Sequence, residues 1–222
     1  MTEIASNIIS LKQQIPGSVK IVAVSKTKSD EDILQAYNTG QRIFGENRVH
    51  EIVSKKDNLP GDIEWHFIGH LQTNKVKSIA PFINMIESVD SFRLLKVIES
   101  EAVKCGRIID CLLQFYIARE ETKSGFSLAE AKEMLESEEF RSLNNVRLCG
   151  VMGMATYTDD TGQVRNEFRT LNDYYTELQN KYFVDYPAFK EISMGMSGDF
   201  RIAIEEGSTM IRIGSIIFGE RK

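Results

Sequence analysis

Ile21-Val22-Ala23-Val24-Ser25-Lys26, followed by Ser29 and then Asp30–Tyr37, is the stretch on which the fold turns. Its first part is apolar and β-branched, the composition of a buried strand. Ser29 is a good N-cap, and Asp30, Glu31 and Asp32 put acids into the first turn of a helix, where they suit its dipole. A strand feeding directly into a helix is half of a crossover unit, and parallel strands need such crossovers. The same alternation recurs along the chain. Strand patterns lie at Val19–Ser25, Arg42–Phe44, Glu64–Ile68, Met85–Val89, Ile108–Ile117, Arg147–Met152, Phe189–Met194 and Met210–Ile213. Helical patterns lie at Asp30–Tyr37, Arg48–Lys56, Thr73–Ile79, Phe92–Lys104, Leu128–Phe140, Gln163–Tyr182 and Phe200–Glu205. Ser127 with Glu130 three residues on has the capping-box pattern, and Phe168, Leu171, Tyr175 and Leu178 form one apolar face.

Eight strands alternating with helices predict a closed (β/α)8 barrel of the TIM type, and 222 residues is near the low end for that fold. A doubly wound open sheet is the alternative. No low-complexity linker divides the chain, so a single barrel domain is expected over residues 1–222, with a short amphipathic helix over residues 3–14 ahead of strand 1.

The formal net charge of −5 argues against sequence-independent nucleic-acid binding, which needs an excess of Lys and Arg. No apolar run is long enough to span a bilayer, and the N-terminus lacks the basic start and apolar core of a secretory signal. Cys105, Cys111 and Cys149 are odd in number and have no ligand spacing, so they read as reduced thiols of a cytoplasmic protein. His66-x-x-x-His70 has a helical metal spacing but falls on a strand pattern, and no metal is expected. Trp65 reads as core, and the charge-rich stretch 130–141 as a solvated helix face.

In a barrel the functional groups gather at the C-terminal ends of the strands. Lys26 closes the first strand, with its stem in apolar surroundings. Burial disfavours a charged ammonium, and a neutral amine is a nucleophile for an aldehyde, giving a Schiff base. The simpler reading is a lysine whose head reaches water. Ser193-Met194-Gly195-Met196-Ser197-Gly198-Asp199 follows strand seven, and Gly214-Ser215 follows strand eight. Small residues there let backbone N–H groups approach an anion, and barrels frequently bind phosphate at these two loops. The same glycines also serve plain tight turns. Arg212, inside the apolar run Met210–Gly214, needs either a ligand or a buried carboxylate such as Glu87. An imine-forming lysine, a phosphate site and an arginine for a heteroaromatic nitrogen together fit one ligand, pyridoxal 5′-phosphate (PLP).

Five segments also resemble a known family: Val22-Ala23-Val24-Ser25-Lys26-Thr27-Lys28, Phe44-Gly45-Glu46-Asn47, Trp65–Lys75, Ser193-Met194-Gly195-Met196-Ser197 and Arg212–Gly219. In this order they are similar to the pyridoxal phosphate homeostasis proteins, whose fold is like the alanine racemase N-terminal barrel. The resemblance runs from about Val19 to Arg221. It implies a Schiff base on Lys26, with Asn47 near the ring substituents and Arg212 near the ring nitrogen. Ser197, Gly214 and Ser215 would hold the phosphate, with Met196 beside them and His70 at a nearby strand end. Lys28 and Lys123 match lysine positions of the family and would accept the cofactor for transfer. For Lys28 a shared strand side with Lys26 gives the same expectation.

An arginine keeps its proton, so the ring nitrogen facing it is a weak electron sink. Racemisation of the alanine racemase kind also needs a tyrosine brought by a second domain, and the chain ends just after its eighth strand. Tyr116 is the one tyrosine placed near the mouth, where a packing role is expected. The leading expectation is therefore a carrier in vitamin B6 homeostasis, without robust turnover, that buffers PLP or hands it to apoenzymes. A monomer is expected. The alternatives are a PLP-dependent racemase-like enzyme and a barrel using Lys26 for aldolase-type imines without a cofactor.

Overall fold

Side-chain alternation along each strand decides what fills the inside of the molecule and what faces the helices. In the computed structural model, which describes residues 2–118 and 124–220, the strands are β1 (Lys20–Val24), β2 (Ile43–Glu46), β3 (Glu64–Phe67), β4 (Met85–Val89), β5 (Ile109–Gln114), β6 (Val146–Met152), β7 (Glu191–Ser193) and β8 (Met210–Ile213). All pair in parallel, in chain order, as one closed barrel. Closure is made by β1 against β8, from Lys20 opposite Met210 to Ala23 opposite Ile213. Val22, Met85, Leu112, Cys149, Met152 and Met210 pack together as a small inner cluster. Their neighbours along the strands, such as Ile21, Ala23, Phe44, Trp65, Phe67 and Ile211, belong instead to the large cluster shared with the helices. Trp65 is buried, as its sequence context predicts.

The helices are α1 (Glu3–Gln14), α2 (Asp30–Tyr37), α3 (Val49–Lys55), α4 (Val76–Ile79), α5 (Phe92–Cys105), α6 (Leu128–Glu136), α7 (Glu138–Arg141), α8 (Thr161–Tyr182), α9 (Phe200–Glu205) and α10 (Ser215–Phe218). Ser29 caps α2 by accepting from the Asp32 N–H, and Ser127 and Glu130 form the capping box of α6. In α8, Phe168, Leu171 and Leu178 are fully buried, while Tyr175 stacks on Phe189. α1 buries Ile4, Ile8 and Leu11 against the barrel's outer layer, and Asn7 Nδ2 donates to the Ile217 carbonyl at 3.2 Å.

Several boundaries differ from the sequence pattern. The helix expected over Leu128–Phe140 breaks at Ser137, which adopts an extended backbone. There the Ser137 hydroxyl donates to the Met134 carbonyl at 2.6 Å and accepts the Phe140 N–H at 3.1 Å, so it ends one helix and starts the next. Apolar periodicity continues across the break and hides it. The strand expected over Ile108–Ile117 ends at Gln114, after which Phe115 only bridges Phe126. The strand expected over Phe189–Met194 shrinks to Glu191–Ser193. Thr73–Lys75 is a 3-10 turn before α4. The four-residue α10 was not anticipated, being too short to show a period.

Candidate functional site

Barrel order places the expected site residues side by side. The loop after β7 carries Met196 and Ser197, β8 and its end carry Arg212, Gly214 and Ser215, Lys26 follows β1, Asn47 follows β2, and His70 follows β3. Because β1 pairs with both β8 and β2, Lys26 stands between the ends that carry Gly214 and Asn47. Lys26 has the same strand parity as Val22, a member of the inner cluster, and is half-buried. Lys123 lies outside the described residues.

Asn47 is set by close backbone approach. A Cβ on Gly69 would lie 2.4 Å from the Asn47 carbonyl oxygen, so only glycine lets β3 leave the barrel against this turn. The Asn47 Oδ1 is buried and has no hydrogen-bond partner among the described residues. Such an acceptor is costly unless something donates to it.

Arg212 is buried at the centre of a polar layer. Its Nη1 donates to the Ser193 hydroxyl at 2.6 Å and its Nη2 to the Gly153 carbonyl at 2.9 Å. The Ser193 hydroxyl donates onward to Glu87 Oε2 at 2.5 Å. Glu87 Oε1 lies 2.7 Å from His66 Nδ1. Burial alone would raise the Glu87 carboxyl, but His66, Arg212 and Ser193 together hold it below its ordinary value. An ionised Glu87 only accepts, so Nδ1 carries the proton of His66. Burial in turn pushes the Arg212 guanidinium down from its ordinary value, opposed by the charges of Glu87 and Asp199. Of the two sequence readings of Arg212, the buried carboxylate is present, with Glu87 4.0 Å away, while the guanidinium Nε–H has no hydrogen-bond partner among the described residues.

The phosphate-type loops are partly committed. The Met196 N–H donates to Asp199 Oδ1 at 2.5 Å, and burial raises the Asp199 carboxyl. The hydroxyls of Ser197 and Ser215 enter no hydrogen bond among the described residues and stay available. His70 is exposed, with Nδ1 3.1 Å from Asp90 Oδ2, so it belongs to the rim rather than the interior.

Lys28 is not where an extended strand would put it. β1 ends at Val24, and Thr27 has a φ of 64°, which turns the chain. Lys28 Nζ donates to the Phe218 carbonyl at 2.9 Å, at the end of α10. Its shared strand side with Lys26 therefore does not hold. A β-branched residue in the left-handed region costs about 1–2 kcal/mol, so Thr27 is held there by its surroundings. Tyr116 is half-buried. Cys111 and Cys149 are buried, and burial pushes their thiols up, Cys149 to about 12, so neither is a reactive thiolate.

A parallel eight-stranded barrel carries a lysine, an arginine and spare polar groups on adjoining strand ends. The family model described as "Alanine racemase, N-terminal domain" matches residues 1–222. Curated relatives named pyridoxal phosphate homeostasis protein include one from Aquifex aeolicus, 42% identical, covering 91% of this chain and 87% of that one. The relative of that name from Homo sapiens is 38% identical over 91% of this chain and 76% of its own. The solved structure of PipY from Synechococcus elongatus PCC7942 with PLP bound superposes with a TM-score of 0.86 at 34% identity, covering 97% of this chain and all of that one. Alanine racemase of Clostridium difficile 630 shares the fold alone, with a TM-score of 0.78 at 14% identity over 99% of this chain and 56% of its own. The chain belongs to the pyridoxal phosphate homeostasis protein family.

Proposed function

We propose that this protein binds PLP at the mouth of the barrel and serves PLP homeostasis as a carrier. The observation that carries the reading is the set of unspent polar groups around Lys26: the buried Asn47 Oδ1, the Arg212 Nε–H, and the hydroxyls of Ser197 and Ser215. They fit the cofactor by kind. An acceptor suits a ring hydroxyl, a cationic donor suits a pyridine nitrogen, and hydroxyls beside Gly214 suit a phosphate. The names of the relatives and the PLP in PipY support the same reading.

Bound there, the cofactor supplies an aldehyde open to Schiff-base formation with an amine. Lys26 is that amine. Asn47 and Arg212 would orient the ring, and Arg212 would keep its proton rather than pass it to the ring nitrogen. Ser197, Gly214 and Ser215 would hold the phosphate, with Met196 beside them and His70 at the rim. Lys28 and Lys123 are candidate way stations for release, and PLP-dependent apoenzymes are candidate recipients. A monomeric, cytoplasmic protein of one barrel domain over residues 1–222 fits this role. No helix among the described residues is long and apolar enough to cross a membrane.

The test is retention. The purified protein is mixed with PLP, desalted, and read by visible absorbance. The parent is expected to keep a stoichiometric yellow chromophore that a competing amine releases, and Lys26→Ala to lose it on desalting. A parent that retains no more PLP than Lys26→Ala would overturn the proposal.

A further inference from the structure

The two peptide groups that flank Lys26 are both gripped by one helix. Lys55 Nζ donates to the Ser25 carbonyl at 3.0 Å, the oxygen of the peptide before Lys26. Glu51 Oε2 accepts the Thr27 N–H at 2.6 Å, the donor of the peptide after it. Glu51 and Lys55 stand one turn apart on α3 and pair with each other at 3.5 Å. Lys55 is further fixed by Glu46 Oε1 at 2.8 Å, which also accepts the Ser25 hydroxyl at 2.6 Å. Lys26 lies between the two jaws, and Thr27, held by the second, has a φ of 64°, the one non-glycine residue with positive φ among the described residues. The Lys28 N–H closes the same turn onto the Ser25 carbonyl at 3.0 Å.

We propose that the Glu51–Lys55 pair is a clamp that holds the strained turn at Thr27 and thereby aims the Lys26 amine into the barrel mouth. Both are positioning residues, since they touch the backbone of Lys26's neighbours and act through it. Burial alone would raise the Glu51 carboxyl, but the Thr27 N–H, Lys55 and Arg48 outweigh it and keep Glu51 an anionic acceptor. The inference rests on the proposed capture of PLP by Lys26. In that step the Lys26 nitrogen forms a bond to the aldehyde carbon. The aldehyde oxygen leaves as water with the two protons of the attacking amine, so no redox partner is needed. With Glu51 gone, the Lys28 N–H to the Ser25 carbonyl is left as the turn's own bond against a backbone that threonine resists, and small misplacements of a reacting group slow it strongly.

The test is the rate at which PLP becomes trapped on the protein in borohydride-quenched samples, read by intact mass, with folding checked by urea denaturation. Glu51→Ala is expected to slow trapping about tenfold. Glu51→Gln, which keeps an acceptor oxygen, is expected to stay within about threefold of the parent. Thr27→Gly is comfortable at this φ without a clamp, so adding it to Glu51→Ala is expected to restore trapping to within about threefold of the parent. If Glu51 merely docked α3, glycine at 27 would restore nothing. Trapping by Glu51→Ala at the parental rate, or a slow rate that Thr27→Gly leaves unchanged, would overturn the clamp. Should Glu51→Ala fail to fold, Glu51→Asp, too short to reach Thr27, carries the same expectations. No trapping in the parent at all would instead overturn the capture reading beneath it.

Discussion

Arg212→Ala is expected to destabilise the fold by about 3–5 kcal/mol, the usual cost of breaking a buried charge pair by removing one partner. The change strips Ser193 and the Gly153 carbonyl of their donors and leaves Glu87 buried with His66 and the Ser193 hydroxyl as its remaining partners. Acid sensitivity should change as well. The folded Glu87 carboxyl lies below its ordinary value, so its contribution is complete above the unfolded carboxylate range near ~4.3 and is lost as pH falls through the folded value. Removing Arg212 removes one of the charges that hold it down. The folded value rises, and acid unfolding of the variant begins at a higher pH than in the parent. Urea unfolding at neutral and acid pH measures both effects. A loss under about 1 kcal/mol with an unshifted acid limb would show that Arg212 is not coupled to Glu87 as described.

Gly150→Ala is expected to cost about 4 kcal/mol, combining ~1–3 kcal/mol of overpacking with ~1–3 kcal/mol of backbone strain. Gly150 has a φ of 150°, and an added Cβ would fall 1.8 Å from the Glu191 carbonyl oxygen, with the Glu191 backbone carbon and nitrogen within 2.8 Å. No side-chain rotation relieves a clash with backbone. The β5–β6 register shifts here, with Cys111 opposite Leu148 but Leu112 opposite Gly150, so β6 carries an extra residue. β7 spans only Glu191–Ser193 and has little pairing to spare, so pushing it away opens the barrel beside Ser193. The urea midpoint measures the loss. A parental midpoint would mean that β7 yields without cost.

Much of this was legible because the strands carry apolar patterns and helices such as α2 and α6 carry a capping serine. The order of eight strands was readable, and with it the rim order that gathers Ser197, Arg212, Lys26 and Asn47. Glu87 could be named as a partner for Arg212 because a buried cation demands a carboxylate. The relay through Ser193 to His66 was not readable, since it depends on strand stagger rather than on any local pattern. Lys28 misled because a two-residue spacing implies a shared side only while the chain stays extended, and threonine gives no warning of a left-handed turn. Nothing in the sequence marks Glu51 and Lys55 beyond their one-turn spacing within a helical pattern. Their hold on the backbone around Lys26 appears only once α3 is packed beside β1 and β2.

The most direct measurement is where the cofactor attaches. PLP-loaded protein is reduced with borohydride, digested, and the peptides are mapped by mass. The account predicts one stable adduct, on Lys26, absent from Lys26→Ala. An adduct carried by another lysine with Lys26 unmodified, or no adduct in the loaded parent, would contradict it.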